Sequence, residues 1–262
     1  MIPVARQRRH KRSIRRRGRF SGLYKVLSIL LAAGAITAAC IVFFRVNTVE
    51  VEGNVRYTAQ EIIDASGVKT GDNLIALPAS RVSASIRVQL PYVEGVSLQR
   101  DYPDRLVIRV TERVAAASVD SAEGRWLISA QGKLLEKDNG STRAIQIAGL
   151  TAVGPYAGGM VQTEEEEQLT LDYVKELLGV LESRGMLEQC ESLDCSSASS
   201  LTLSYGIYRL KLPRGGDYEY HIQLAQTALA KGLEQGVIQE GQAGLLDLTV
   251  MDGRAHFRSD KS

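Results

Sequence analysis

The sequence predicts an α+β protein with a single N-terminal transmembrane helix, a βααββ domain, and a second mixed α/β domain with an antiparallel sheet. Three observations carry that prediction. Residues 26–44 form an uncharged apolar run of 19 residues. Residues 45–113 order themselves as strand, helix, helix, strand, strand, and the rest alternates short period-two runs with two long helical ones. The bounds that follow are 1–25 for a basic tail, 26–44 for the span, 45–113 and 114–258 for two outer domains, and 259–262 for a polar tail.

A helix over residues 26–44 would rise about 28 Å, close to the hydrocarbon thickness of a bilayer. Arg6, Arg8, Arg9, Lys11, Arg12, Arg15, Arg16, Arg17, Arg19 and Lys25 precede or border it, and no acidic residue appears before Glu50. The positive-inside rule then predicts a single-pass membrane protein with its N-terminus cytoplasmic and its C-terminus extracytoplasmic. A cleavable signal peptide and a lipoprotein-like site at Cys40 are competing readings. The length of the span and the apolar run after Cys40 favour a retained anchor. The net charge of +2 divides into +10 on the first 25 residues and −8 on the remainder. A basic tail suits anionic membrane lipid, while an acidic outer part argues against a nucleic-acid partner.

In the first outer domain, residues 48–52 alternate as a half-buried strand with Val49 and Val51 on one side. Gly53-Asn54 turns the chain. Thr58 and Glu61 form a capping box for a short helix that Gly67 ends. A second helix fits residues 79–89 and stops before Pro91. Two strands follow, with Leu98 on the first and Leu106, Ile108 and Val110 on the second. Together with Val49, Val51, Ile62 and Ile86 these are expected to build the core.

VEVEGNVRYTAQEI and LPYVEGVSLQRDYPDRLVIRVTER, placed directly after a basic tail and one span, resemble a POTRA domain and in particular the FtsQ/DivIB family of bacterial cell-division proteins. Val114 stands where the family has a proline, and Ser129 where it often has an aspartate. The resemblance implies a non-enzymatic divisome protein at the division septum. It also implies partners of the FtsL and FtsB/DivIC type, which are bitopic coiled-coil proteins, and through them a septal transpeptidase. An envelope-binding module unrelated to division and an enzyme with a cryptic site are the alternative readings.

Beyond Ala115, residues 126–128 and 133–135 read as a hairpin and 144–150 as a strand. Thr163 with Glu166 is expected to cap a long helix carrying Leu169, Tyr173, Leu177 and Leu181, ended by Gly185. Strands are expected at 186–195, 200–204 and 207–213, a helix at 218–235, and final strands near 244–250 and 254–258. Cys190 and Cys195 read as buried small apolar residues. No phosphate loop, nucleophile elbow or metal-ligand spacing occurs, so no catalytic, cofactor or metal residue is assigned.

Asp252-Gly253 between two alternating runs predicts a two-residue hairpin. Its register would set Leu248 opposite Phe257 and Asp247 opposite Arg258. A terminal strand at a sheet edge is a template for strand addition, and the resemblance implies that this end of the second domain binds the coiled-coil partner. Leu248, Val250, Asp252, Gly253, Ala255 and Phe257 are therefore the expected partner-binding residues.

Overall fold

The computed structural model describes residues 20–250 and 254–260. The basic residues Arg6 to Arg19 lie outside the described residues, as do Met251, Asp252 and Gly253. The chain packs as two compact units. One holds the described part of Met1–Thr48 with Lys69–Leu77 and Arg100–Leu106; the other holds Val49–Val68, Pro78–Gln99 and Val107–Ser262.

Helix α1, Phe20–Phe43, opens the described chain. Within it Gly22–Cys40 is the one stretch among the described residues long and apolar enough to cross a membrane. Strand β1 (Thr48–Glu52), helices α2 (Ala59–Ser66) and α3 (Ala79–Gln89), and strands β2 (Val93–Asp101) and β3 (Arg105–Glu112) follow in the predicted order. The three strands form a sheet in the order β1-β3-β2. At α2 the capping box is complete: Glu61 N–H donates to Thr58 Oγ1, and the Glu61 carboxylate accepts from Thr58 N–H. Gly67 closes the helix in the left-handed region, with φ of 69°.

The expected core is corrected at its edges. Ile62, Ile86, Leu106, Ile108 and Val110 are buried, whereas Val49, Val51 and Leu98 are only half-buried. The reason is topological. β1 and β2 are the outer strands, while β3 lies between them and also buries Val107.

The remaining strands are β4 (Ala117–Ser121), β5 (Trp126–Ile128), β6 (Leu134–Lys137), β7 (Ile145–Ala152), β8 (Cys190–Asp194), β9 (Ser200–Tyr205), β10 (Tyr208–Pro213), β11 (Gly244–Asp247) and β12 (His256–Ser259). They form one mixed sheet in the order β12-β11-β10-β9-β8-β7-β4-β5-β6. The pairings β4–β7, β7–β8 and β10–β11 are parallel, and the others are antiparallel. Helix α4 (Gln168–Ser183) and helix α5 (Tyr218–Glu234) contribute Val174, Leu177, Leu181, Ile222, Ala225 and Leu229 to the core shared with these strands.

The expected start of the long helix is corrected. A 3₁₀ turn, Glu165–Glu167, precedes α4, and no side chain caps either start. Leu169 is exposed, and Thr170 and Leu171 take the buried positions, because they share the helix face of Val174, Leu177, Leu178 and Leu181 while Leu169 lies off it. At the other end Gly185 donates to Glu182 O and Met186 to Leu181 O, a Schellman closure.

Candidate partner-binding edge

A sheet has two ends, and the large sheet treats them differently. At the β6 end, Leu134 N–H donates to Gly159 O (2.8 Å), Gly158 N–H to Leu134 O (2.8 Å) and Val161 N–H to Gly132 O (2.8 Å). The 158–161 segment thus pairs with Gly132 and Leu134 and covers the start of that end. At the other end stands β12, which among the described residues pairs only with β11.

The β11–β12 register pairs Gly244 with Ser259, Leu245 with Arg258, Leu246 with Phe257 and Asp247 with His256. This corrects the expected register by two residues. Asp247 ends the strand because its carboxylate accepts from Thr249 N–H (2.9 Å) and Thr249 Oγ1 (2.6 Å), folding the chain back at once. Leu248 N–H then turns to Lys211 O on β10, at 2.9 Å. A longer connection therefore joins the two strands than a two-residue turn would make. Asp247 is opposite His256 and meets Lys211 Nζ at 3.4 Å, instead of pairing with Arg258. Burial opposes ionisation of Asp247, but the Thr249 donors and Lys211 outweigh it and hold the carboxyl below its usual range.

The ladder fixes which backbone groups are open. Asp260 N–H donates to Ala243 O at 3.2 Å. Antiparallel alternation then turns Arg258 toward β11 and leaves the N–H and C=O of Phe257 and Ser259 facing away from the sheet. Beside this edge runs a groove of about 490 Å³ lined by Ala228, Gly232, Val237, Ile238, Ala255 and Phe257, among others. Val237 is 70% exposed. The Phe257 ring meets Tyr208 edge-on at 6.4 Å. The Arg209–Asp260 ion pair fastens the end of β12 to β10.

Of the expected partner-binding residues, Ala255 and Phe257 line the groove, Leu248 is buried in the core, Val250 is exposed beyond β11, and Asp252 and Gly253 lie outside the described residues. Sequence reading missed Gly232, Val237 and Ile238. Their signal was the apolar Val237-Ile238 pair directly after the helix-ending Gly236, of which Val237 is exposed and Ile238 buried. Among the described residues no group of three His, Cys, Asp or Glu side chains is arranged to hold a metal ion. Burial pushes the Cys190 and Cys195 thiols up to about 12, which makes them inert packing residues.

The family described as "POTRA domain, FtsQ-type" matches residues 44–113. The FtsQ cell-division protein of Corynebacterium glutamicum is 30% identical over 108 residues, covering 41% of this chain and 48% of the relative. The DivIB cell-division protein of Clostridium acetobutylicum is 32% identical over 111 residues, covering 42% and 44%. Residues 44–113 thus match an FtsQ-type POTRA domain, and this part of the chain is similar to FtsQ and DivIB cell-division proteins. The DivIB protein of Clostridium tetani extends the likeness into the large sheet, at 22% identity over 201 residues, 76% of this chain and 75% of that one. The chain spans about half the length of the FtsQ and DivIB relatives it matches at 30% and 32% identity.

Proposed function

We propose that the protein is a single-pass, non-enzymatic component of the division machinery that helps assemble septal cell-wall synthesis through protein–protein contacts. In this reading its N-terminus is cytoplasmic, residues 45–113 are the POTRA domain, and residues 114–258 are the partner-binding domain. The partner is a bitopic coiled-coil division protein of the FtsL or FtsB/DivIC type, which links the complex to a septal transpeptidase. Its extracytoplasmic segment adds as a strand to β12 and places alternate side chains in the neighbouring groove. The observation that carries this reading is the asymmetry of the large sheet: the start of β6 is paired with the protein's own 158–161 segment, whereas β12 turns backbone groups outward beside a groove of mixed apolar and polar lining.

Ser259→Pro tests it. Proline removes an outward N–H without touching the β11 ladder, and edge positions tolerate it. Ala255 is a poorer proline probe because it precedes β12. The full chain, co-expressed with the coiled-coil division proteins of the same bacterium, should lose their co-purification on Ser259→Pro and keep it on Ser259→Ala. Unchanged capture by a folded Ser259→Pro protein would place the binding surface elsewhere. A fluorescent fusion should concentrate at midcell, and uniform membrane fluorescence in dividing cells would remove the division role.

A further inference from the structure

The residues that leave α1 are tied to two loops of their own unit. Leu74 N–H donates to Phe44 O (2.9 Å), Val46 N–H to Asp72 O (2.8 Å) and Gly71 N–H to Val46 O (2.8 Å). Asn47 N–H donates to Asp104 O at 2.9 Å. The Arg100 guanidinium reaches the carbonyls of Leu74 and Leu77 at 2.8 and 2.7 Å. No slack linker separates the helix from Lys69–Leu77 and Arg100–Leu106.

Each of these loops exposes a large apolar residue. Ile75 is 48% exposed and Tyr102 is 56% exposed. Asn73 Oδ1 accepts from the N–H groups of Ile75 (3.0 Å) and Ala76 (2.9 Å), a local turn that holds Ile75 at the loop tip. Tyr102 meets Phe44 edge-on at 5.4 Å, and Phe44 meets Phe43 at 5.3 Å.

Depth decides what these groups face. If Gly22–Cys40 fills the hydrocarbon core, Phe44 lies four residues beyond it, about 6 Å out, within the headgroup layer. Leu74 is one hydrogen bond from Phe44, so its loop shares that depth. Aromatic and apolar side chains favour that layer. We propose that Ile75 and Tyr102, with Phe43 and Phe44, form a foot that inserts into the headgroup–acyl boundary of the outer leaflet, with the lipid surface as its ligand. The inference rests on reading α1 as a membrane span. Residues 44–48 and the two loops carry four cations, Arg45, Lys69, Arg100 and Arg105, against three anions, Asp72, Asp101 and Asp104. Charge is nearly balanced, so insertion does not require anionic lipid.

Tyr102→Trp and Ile75→Trp, each made in the full chain, test the foot; Trp126 is the sole native tryptophan and is buried. The proteins are reconstituted into vesicles of neutral phosphatidylcholine with or without brominated acyl chains. In either variant, emission from the introduced indole is expected to shift blue and to be quenched by bromine, since tryptophan at the membrane–water interface lies beside the acyl chains. Emission from Trp126, read in the parent protein, stays unchanged. Tyr102→Trp keeps an aromatic ring against Phe44 and so remains informative if Ile75→Trp does not fold. Co-flotation with the vesicles without quenching at either position would overturn the foot. Failure to float at all would overturn the span itself.

Discussion

The Phe257 ring lies against Gly244. A Cβ on Gly244 would stand 2.5 Å from the ring carbon Cζ and 2.6 Å from Arg258 O, distances that real Cβ atoms do not show. The only side chain that lets β12 settle on β11 at this point is hydrogen. Gly244→Ala should therefore push β12 outward and cost about 1–3 kcal/mol, the usual range for overpacking. A denaturant melt reads the loss of stability, and partner capture should weaken with it. An unchanged melt would mean that Phe257 moves aside without loss.

Glu112 ties down the loop that follows β1. Its carboxylate accepts from the N–H groups of Val55 (3.2 Å), Arg56 (2.6 Å) and Tyr57 (3.3 Å). Glu112→Ala leaves these donors to water and should cost about 1–2 kcal/mol, whereas Glu112→Gln keeps an acceptor oxygen and should cost less. Chemical denaturation of the two variants checks the order.

The capping box at Thr58 and Glu61, the stop at Gly67 and the extent of α3 were legible because their hydrogen-bond chemistry is local. β4 was not. Ala117–Ser121 reads ASVDS, with no period-two alternation, because the strand lies between β5 and β7 and buries Ala117, Ser118 and Val119 in succession. The β11–β12 register was misread for the opposite reason. Asp252-Gly253 is a strong local turn signal, but the contacts that decide the register come from Thr249 onto Asp247 and from Leu248 onto β10. The open edge itself was expected, but the closure of the other end by residues 158–161 is a tertiary pairing that no local pattern announces.

Arg113 donates from Nη1 to Glu182 Oε2 at 2.6 Å and pairs with Glu94 through Nη2. The Glu94 hydrogen bond, above all, raises its pKa. The Glu182 pair is three-quarters buried on both sides, so screening discounts it less than the protein's surface pairs. A double-mutant cycle on Arg113→Ala and Glu182→Ala should give a coupling energy of about 0.5–3 kcal/mol. Additive losses would show that the two side chains are neighbours without being partners.

Asp247 gives stability a defined acid dependence. Its folded pKa lies below the ordinary carboxylate value of about 3.9. The contribution is therefore complete above that value and is lost as pH falls through the lower folded value. Asp247→Asn should be less stable than the parent at neutral pH by about 1–3 kcal/mol. The gap should narrow below about pH 4, as the parent's carboxylate takes up its proton. Urea melts at several pH values test this, and a gap that stays constant into acid would remove Asp247 as its source.

The closed end of the sheet depends on a glycine. Gly158 holds φ of 86° while its N–H donates to Leu134 O, and the adjacent Gly159 carbonyl accepts from Leu134 N–H. In that region of backbone space a side chain is strained by about 1–2 kcal/mol. Gly158→Val should lift the 158–161 segment from β6 without unfolding the sheet, because β6 keeps its pairing with β5. Hydrogen exchange at the Leu134 amide is the direct readout and should accelerate, while amides of β9 and β10 in the sheet interior keep their protection. A freed β6 edge is also a new template for strand pairing, so the variant should self-associate more than the parent. Unaltered exchange at Leu134 in Gly158→Val would mean that the loop tolerates the strain and that β6 is closed by more than these hydrogen bonds.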